Sequence, residues 1–190
     1  MATIGLDKLV YAPITEDKNG NETYGTPVQL AKAISVDLSI ELNEAILFAD
    51  DGQSETVKEF KNGTISLGVD DIGNEAAVAL VGATLDSNGV LISGGEDISQ
   101  YVAIGFRAKK SNGKYKYYWL YRVLFGIPAT SLATKGDSIT FSTPTIEGAI
   151  YRRNKPDGKN KHPWKAEVTE TQENSETISA WYDSVYEPEY

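Results

Sequence analysis

The chain contains no cysteine, and its single histidine, His162, sits in the polar run NKPDGKNKHPW. The lack of cysteine excludes a disulfide framework, thiolate metal sites and a thiol nucleophile. A lone histidine between Lys161 and Pro163 leaves no recognisable nucleophile–base pair. No apolar run approaches the ~20 residues that span a bilayer. The first residues, MATIGLDKLVYAPIT, lack the charged start and long apolar stretch of a secretory signal. These absences predict a protein without a membrane segment, made and used without export. The carboxylate doublets Asp50-Asp51, Asp70-Asp71 and Glu96-Asp97 place neighbours on opposite faces of an extended chain, which suits acid–base chemistry poorly. The run DDGQSE at 50–55 lacks the D-x-D-x-D-G pattern of a calcium loop. No catalytic, cofactor-binding or metal residue is assigned, and the chain is expected to work through its surfaces, not as an enzyme.

What the sequence does have is turn chemistry. Six Asn-Gly or Asp-Gly pairs occur, at Asn19-Gly20, Asp51-Gly52, Asn62-Gly63, Asn88-Gly89, Asn112-Gly113 and Asp157-Gly158. Such pairs between alternating runs are the strongest short-range signal for β-hairpins. Residues 6–14 predict a first strand or extended arm. Over 34–42, Ile34, Val36, Leu38, Ile40 and Leu42 alternate with Ser35, Asp37, Ser39 and Glu41, the pattern of a half-buried strand with a wet, acidic face. Two short β-like stretches joined at Asp50-Asp51-Gly52 follow, and then Ile65, Leu67 and Val69 point inward. Asn74 as N-cap, Glu75 in the first turn and Ala76, Ala77, Ala79 and Ala83 predict one helix over about 74–84, its small side chains close to a sheet.

Residues 98–126 predict the central hairpin, turning at Ser111-Asn112-Gly113. Tyr115, Tyr117, Trp119, Tyr121, Val123 and Phe125 are expected on one face, with Tyr118, Leu120 and Leu124 on the other, both covered. Residues 137–151 predict a strand with Pro144 at an edge or bulge. A basic loop at 154–163, a short strand at 164–169 and a final amphipathic segment marked by Ile178, Trp181, Tyr182 and Val185 complete the chain. Charge is segregated along it: −12 over residues 1–104, +10 over 105–165 and −7 over 166–190, for a net −9. Such blocks either form complementary poles on the surface or interleave in space and average out.

Four segments in this order, ELNEAILFADDGQSE at 41–55, TISLGVDDIGNEAAVALVGA at 64–83, ITFSTPTIEGAIYRR at 139–153 and SAWYDSVYEP at 179–188, resemble the major tail proteins, or tail-tube proteins, of long-tailed phages and prophages of Gram-positive bacteria. The resemblance runs over nearly the whole chain from residue 3. It implies a mainly β fold, a tail-tube-type β-sandwich or barrel with one flanking helix and extended loop and terminal arms. The whole chain, 1–190, would be one domain, with an N-terminal arm at about 2–14, a long hairpin loop at about 44–60 and a C-terminal segment at about 164–190. It also implies homo-hexameric rings whose sheets join into a barrel and stack into a tube in the virion tail, assembled in the bacterial host cytoplasm. DNA would pass through the lumen without specific binding. Tape-measure, terminator and distal tail proteins would be further partners, and no cofactor is needed.

Within that picture Glu44, Ile46, Leu47, Phe48, Asp50, Asp51 and Phe60 are expected to contact the next ring. Asp37, Ser39 and Glu41 would face the lumen, where carboxylates repel phosphates. Ile178, Trp181 and Tyr182 would dock the C-terminal segment on the core, its acidic flank near the basic hairpin or loop. The alternative is a carbohydrate-binding β-sandwich module of a phage or cell-wall protein, with exposed aromatics around Trp164 or Trp181 as its platform.

Overall fold

A strand that alternates apolar and polar residues has one face to bury, and a sheet of such strands hides it by stacking or by curling. The computed structural model describes residues 2–18, 20–49, 52–130 and 142–190. The strands are β1 (Thr3–Glu16), β2 (Glu22–Tyr24), β3 (Val28–Gln29), β4 (Ala33–Ala49), β5 (Gly52–Val69), β6 (Thr84–Leu85), β7 (Leu91–Ile92), β8 (Tyr101–Lys110), β9 (Tyr115–Phe125), β10 (Thr145–Tyr151) and β11 (Lys165–Thr169). The helices are α1 (Asn74–Val81) and α2 (Ser175–Ser179). The fold is mainly β with a flanking helix. Its main antiparallel sheet has the order β2-β1-β8-β9-β10-β5-β4, with β3 on β1 and β11 on β9. Strands β1 and β4 lie far apart in that order yet approach each other in space, so the sheet curls into an incomplete barrel. Between them a cleft of about 490 Å³ is lined by Thr3, Leu6, Val36, Leu38, Phe106 and Tyr118, among others.

The concave side holds the main core: Leu9, Ile65, Leu67, Val69, Ile104, Leu120, Val123, Phe125, Ile146 and Ile150, with α1 contributing Ala76, Ala77, Leu80 and Val81. The convex side carries a second cluster, in which Ala12, Ala103, Tyr117, Trp119 and Tyr121 meet Trp181 and Val185. The central hairpin is thus covered on both faces. Its face assignment needs correcting past Tyr121: Val123 and Phe125 join the main core, not the aromatic face, and Leu124 falls on the convex side. Between Val102/Ile104 on β8 and Val123/Leu120 on β9 the register slips by one residue. This β-bulge puts the neighbours Tyr121 and Arg122 on the same convex face and reverses the alternation beyond them.

Several other elements differ from expectation. Residues 2–14 are not an arm: β1 pairs with β8 along most of its length. A bulge between Asp7 and Val10, where Lys8 takes φ 51°, turns Leu9 into the core. The hairpin expected at 44–60 is present, as the ends of two long strands in place of two short stretches, with Asp50 and Asp51 outside the described residues. Asn62-Gly63 is no turn but lies within β5, where a Cβ on Gly63 would stand 2.9 Å from the Ser39 carbonyl oxygen. Of the strand expected at 137–151, residues 137–141 lie outside the described residues; β10 starts directly after Pro144, whose carbonyl accepts from the Val69 N–H. The final amphipathic segment is helical only over α2 and continues as turns.

The helix α1 starts and stops for local reasons. Gly73, not Asn74, is its N-cap, and the Asn74 amide reaches the Gly89 carbonyl instead (3.4 Å). It ends at Val81 because Gly82 takes φ 76° and donates to the Val78 carbonyl, a left-handed C-cap that glycine tolerates best. A Cβ on Gly82 would lie 2.2 Å from the Ile98 carbonyl oxygen, whereas one on Gly89, at φ 79°, would meet nothing within 4 Å. Gly89→Ala should therefore cost only the conformational penalty of about 1–2 kcal/mol. Gly82→Ala should cost clearly more, because the Ile98 backbone must also move. Urea denaturation of both variants measures this, and equal losses would contradict the packing described.

Candidate assembly surface

Strand β10 covers β5 only from Gly63 to Gly68. Beyond that the β4–β5 pair leaves the sheet as a two-stranded ribbon about 30 Å long at ~3.3 Å per residue. The ribbon is anchored at its base by Phe60, whose ring stacks on Trp164 at 4.8 Å. Lys61 is an extra residue in β5, so Leu42 faces Phe60, Glu44 faces Lys58 (3.2 Å between charges) and Ile46 faces Thr56. Leu42, Ile46 and Val57 are exposed. A two-stranded ribbon with solvent on both sides is marginal in water, and exposed apolar residues on one indicate a surface built to be covered.

The outer edge of β4 is the second feature. Among the described residues no strand pairs with it, although β4 runs for 17 residues. Every second residue of such an edge turns its N–H and C=O outward, a template for another strand. Ile34, Leu38, Ile40 and Leu42 were expected to be half-buried; in the single chain they are exposed, because β4 ends the sheet and the cleft beside it is open.

The convex face of β4, β5, β10 and the end of β9 is bare. Register places Asp37 beside Ser66 and Glu147, and Ser39 beside Thr64, Ala149 and Leu124. Glu41 adjoins Asn62 and pairs with Lys61 at 3.3 Å. Asp37, Ser39, Glu41, Thr64 and Glu147 are all exposed. The result is a flat, short-side-chained, acidic patch across several strands. Reading β4 alone missed Glu147, because only the sheet register brings it into line with Asp37.

The other half of the convex face is capped by the C-terminal segment. Trp119 donates from Nε1 to the Trp181 carbonyl (3.0 Å) and the Tyr121 hydroxyl donates to that of Tyr186 (2.9 Å). Trp181 stacks on Tyr186 at 5.1 Å, and Ile178 and Tyr182 pack partly buried on the same cluster. Burial raises the hydroxyls of Tyr24, Tyr121 and Tyr182 well above the ordinary phenol range, so they stay neutral. Glu187 reaches Arg153 (2.8 Å) and Lys155 (2.9 Å) of the basic loop.

The charge blocks therefore interleave. Arg107 binds Asp7 (2.7 Å), Lys116 and Lys165 share Glu167, and Arg122 is held by Glu16 (2.6 Å) and Glu22. Neither tryptophan named for the carbohydrate alternative presents a free ring face: Trp181 is 2% exposed, and Trp164 is half-buried with Phe60 stacked on it.

The residues singled out from sequence thus fall into three places. Glu44, Ile46 and Phe60 lie on the ribbon; Asp37, Ser39 and Glu41 lie on the bare face; Ile178, Trp181 and Tyr182 lie in the cap. Leu47 and Phe48 belong to the ribbon backbone, opposite Glu55 and Gln53, but their side chains, and the whole of Asp50 and Asp51, lie outside the described residues. No family model and no curated protein matches this chain.

Removing the buried indole of Trp181 should cost about 3–5 kcal/mol, the usual loss for a large aromatic cut to alanine in a core. Glu176→Gln, at an exposed site, should change stability by less than about 0.5 kcal/mol. Equilibrium unfolding of both variants gives the comparison; equal responses would show the C-terminal segment to be a passive tail.

Proposed function

We propose that this chain is a structural, self-assembling subunit of a phage tail tube, forming six-membered rings that stack into a conduit for DNA. The observation that carries this reading is the bare acidic face of β4, β5 and β10 ending at the unpaired edge of β4. A sheet that stops at a long open edge is completed by a strand of a neighbouring copy, and a closed ring of such sheets removes every edge. The joined bare faces would then line the lumen, with Asp37, Glu41 and Glu147 repelling phosphates instead of gripping them. Nucleic-acid binding needs basic grooves, which this face lacks. The ribbon, projecting past the body with Leu42, Ile46 and Val57 uncovered, would bridge to the next ring in a head-to-tail stack. The resemblance in four ordered segments supports the same reading.

Electron microscopy of the purified chain tests it: rings or tubes of uniform bore are expected, and a permanent monomer at high concentration would overturn it. The double variant Asp37→Lys with Glu41→Lys should leave tubes intact while slowing or blocking DNA ejection, since it moves each subunit by four charges in a narrow, poorly screened space. Unchanged ejection from particles built on this variant would remove the bare face from the lumen.

A further inference from the structure

Two turns of the chain carry the same tripeptide in opposite surroundings. Ser87-Asn88-Gly89 follows Asp86 and joins β6 to β7; Ser111-Asn112-Gly113 follows Lys110 and joins β8 to β9. Their backbones match. The Asp86 N–H donates to the Val90 carbonyl (3.0 Å) and the Gly89 N–H to the Asp86 carbonyl (3.1 Å). In the second turn the equivalent bonds, Lys110 to Lys114 and Gly113 to Lys110, are 2.8 and 3.0 Å. Gly89 and Gly113 take φ 79° and 83°, and both tripeptides are exposed. Local sequence and backbone therefore do not separate the two asparagines; side-chain contacts and charge do.

Asparagine before glycine is chemically labile, because glycine has no side chain to keep its amide nitrogen away from the asparagine Cγ. In the first turn the Asn88 amide is turned back: its Nδ2 donates to Asp86 Oδ2 (3.4 Å), while Asp86 Oδ1 accepts from the N–H groups of Asn88 and Val90 (2.8 Å each). The backbone bonds hold the Asp86 carboxyl below the usual carboxylate range, so a negative charge stays beside Asn88. In the second turn the Asn112 amide faces forward. Its Oδ1 accepts from the Lys114 N–H (3.2 Å), so the amide spans Gly113, with a donor on the oxygen where charge develops when Cγ is attacked. Lys110 and Lys114 flank this turn, and neither is in an ion pair among the described residues. The carboxylate of the adjoining cleft, Glu170, accepts from the Tyr115 N–H (3.0 Å). Positive charge favours loss of the Gly113 amide proton and the anionic adduct; negative charge at Asn88 opposes both. The third described pair, Asn62-Gly63, lies inside β5, where Gly63 is buried and paired with both Ile40 and Ile150.

We propose that Asn112 is a self-modification site, the described Asn-Gly pair that this fold sets up for deamidation. The Gly113 nitrogen gives up its proton to water and bonds to Asn112 Cγ. The Cγ–Nδ2 bond breaks, and that nitrogen takes up a proton and leaves as ammonia. Water then opens the cyclic imide at either carbonyl, giving aspartate or isoaspartate. The imide nitrogen has no proton, so the bond from Gly113 to Lys110 is lost while the ring lasts. The product puts a carboxylate between Lys110 and Lys114, and its isoaspartyl form adds a main-chain carbon at the tip of the central hairpin. The proposal does not depend on the tube reading, since the reaction occurs within the separate chain.

The test is to hold the full chain at low concentration and mildly alkaline pH, below its thermal midpoint. Mass-spectrometric peptide mapping then follows the formation of aspartate plus isoaspartate at Asn62, Asn88 and Asn112. Conversion at Asn112 should run about tenfold faster than at Asn88, about 1.4 kcal/mol in barrier, with Asn62 slowest. In urea, where the turn geometry is lost, the rates at the two matched tripeptides should draw together. Asp86→Ala, which frees the Asn88 amide and removes the charge beside it, should speed conversion at Asn88 and leave Asn112 unchanged; an unaltered thermal midpoint checks that this variant folds. Equal rates at Asn88 and Asn112 in the folded chain, a faster Asn62, or a preference for Asn112 that persists undiminished in urea would overturn the proposal. Microscopy of fresh protein reports ring or tube formation separately, so failure here and failure of the tube reading are distinguishable.

Discussion

A buried arginine at a β-bulge sets the plan of the molecule. Where β9 carries its extra residue, Arg122 is almost fully buried and lies over the Tyr101 ring at 3.9 Å. Its charge is tolerable there only because Glu16 and Glu22 face it, and Glu22 in turn accepts from the N–H groups of Asn154 and Lys155. Burying an ion costs several kcal/mol unless charge and hydrogen bonds compensate it, so the whole set stands or falls together. The network fastens β2 and the start of the basic loop to β9. The same bulge lets one strand serve two cores: Tyr117, Trp119 and Tyr121 go to the convex cluster, and Val123 and Phe125 to the concave one.

That division explains why the convex face is half covered and half bare. The C-terminal segment needs large rings to pack on, and they occur on β9 before the bulge. Past it, toward β10, β5 and β4, the convex positions are Leu124, Ala149, Thr64 and Ser39 in one row and Glu147, Ser66 and Asp37 in the next, which offer nothing for a cap to bury. The cap therefore stops, and the polar remainder runs on to an open edge. The acidic patch and the open edge are two aspects of one arrangement, and the proposed self-assembly rests on the pair more than on either alone.

Much of this was legible in the sequence. The alternation over 34–42 identified β4, the Asn112-Gly113 pair located the central turn, and the alanine-rich run located α1, because each is a local preference that its surroundings reinforce. Bulges were not legible. Neither Tyr121-Arg122 nor Lys8 carries a glycine or proline to announce one, and only pairing across strands reveals the slip. The hairpin at 44–60 was legible as two β-like stretches around Asp50-Asp51-Gly52, but its length as a regular ribbon was not, because its turn formers stood out more than its β-branched and apolar residues. Gly63 looked like a turn residue, although it is small because Ile40 and Ser39 crowd it. The charge blocks were visible in the sequence, but their use inside the chain, as pairs such as Arg107 with Asp7, depends on contacts about 100 residues apart. Exposure of Ile34, Leu38 and Ile40 could not be read from alternation, because alternation reports which face is apolar, not whether this chain or another covers it.

The claim that the free edge of β4 is where copies join is tested most directly by amide hydrogen exchange of β4, measured at low protein concentration and again under conditions where sedimentation shows assembly. The account predicts fast exchange of the outward-facing amides over residues 33–46 in the separate chain, slow exchange of β9 in both states, and strong protection of β4 on assembly. Assembly that leaves β4 exchanging as it does in the separate chain would contradict it.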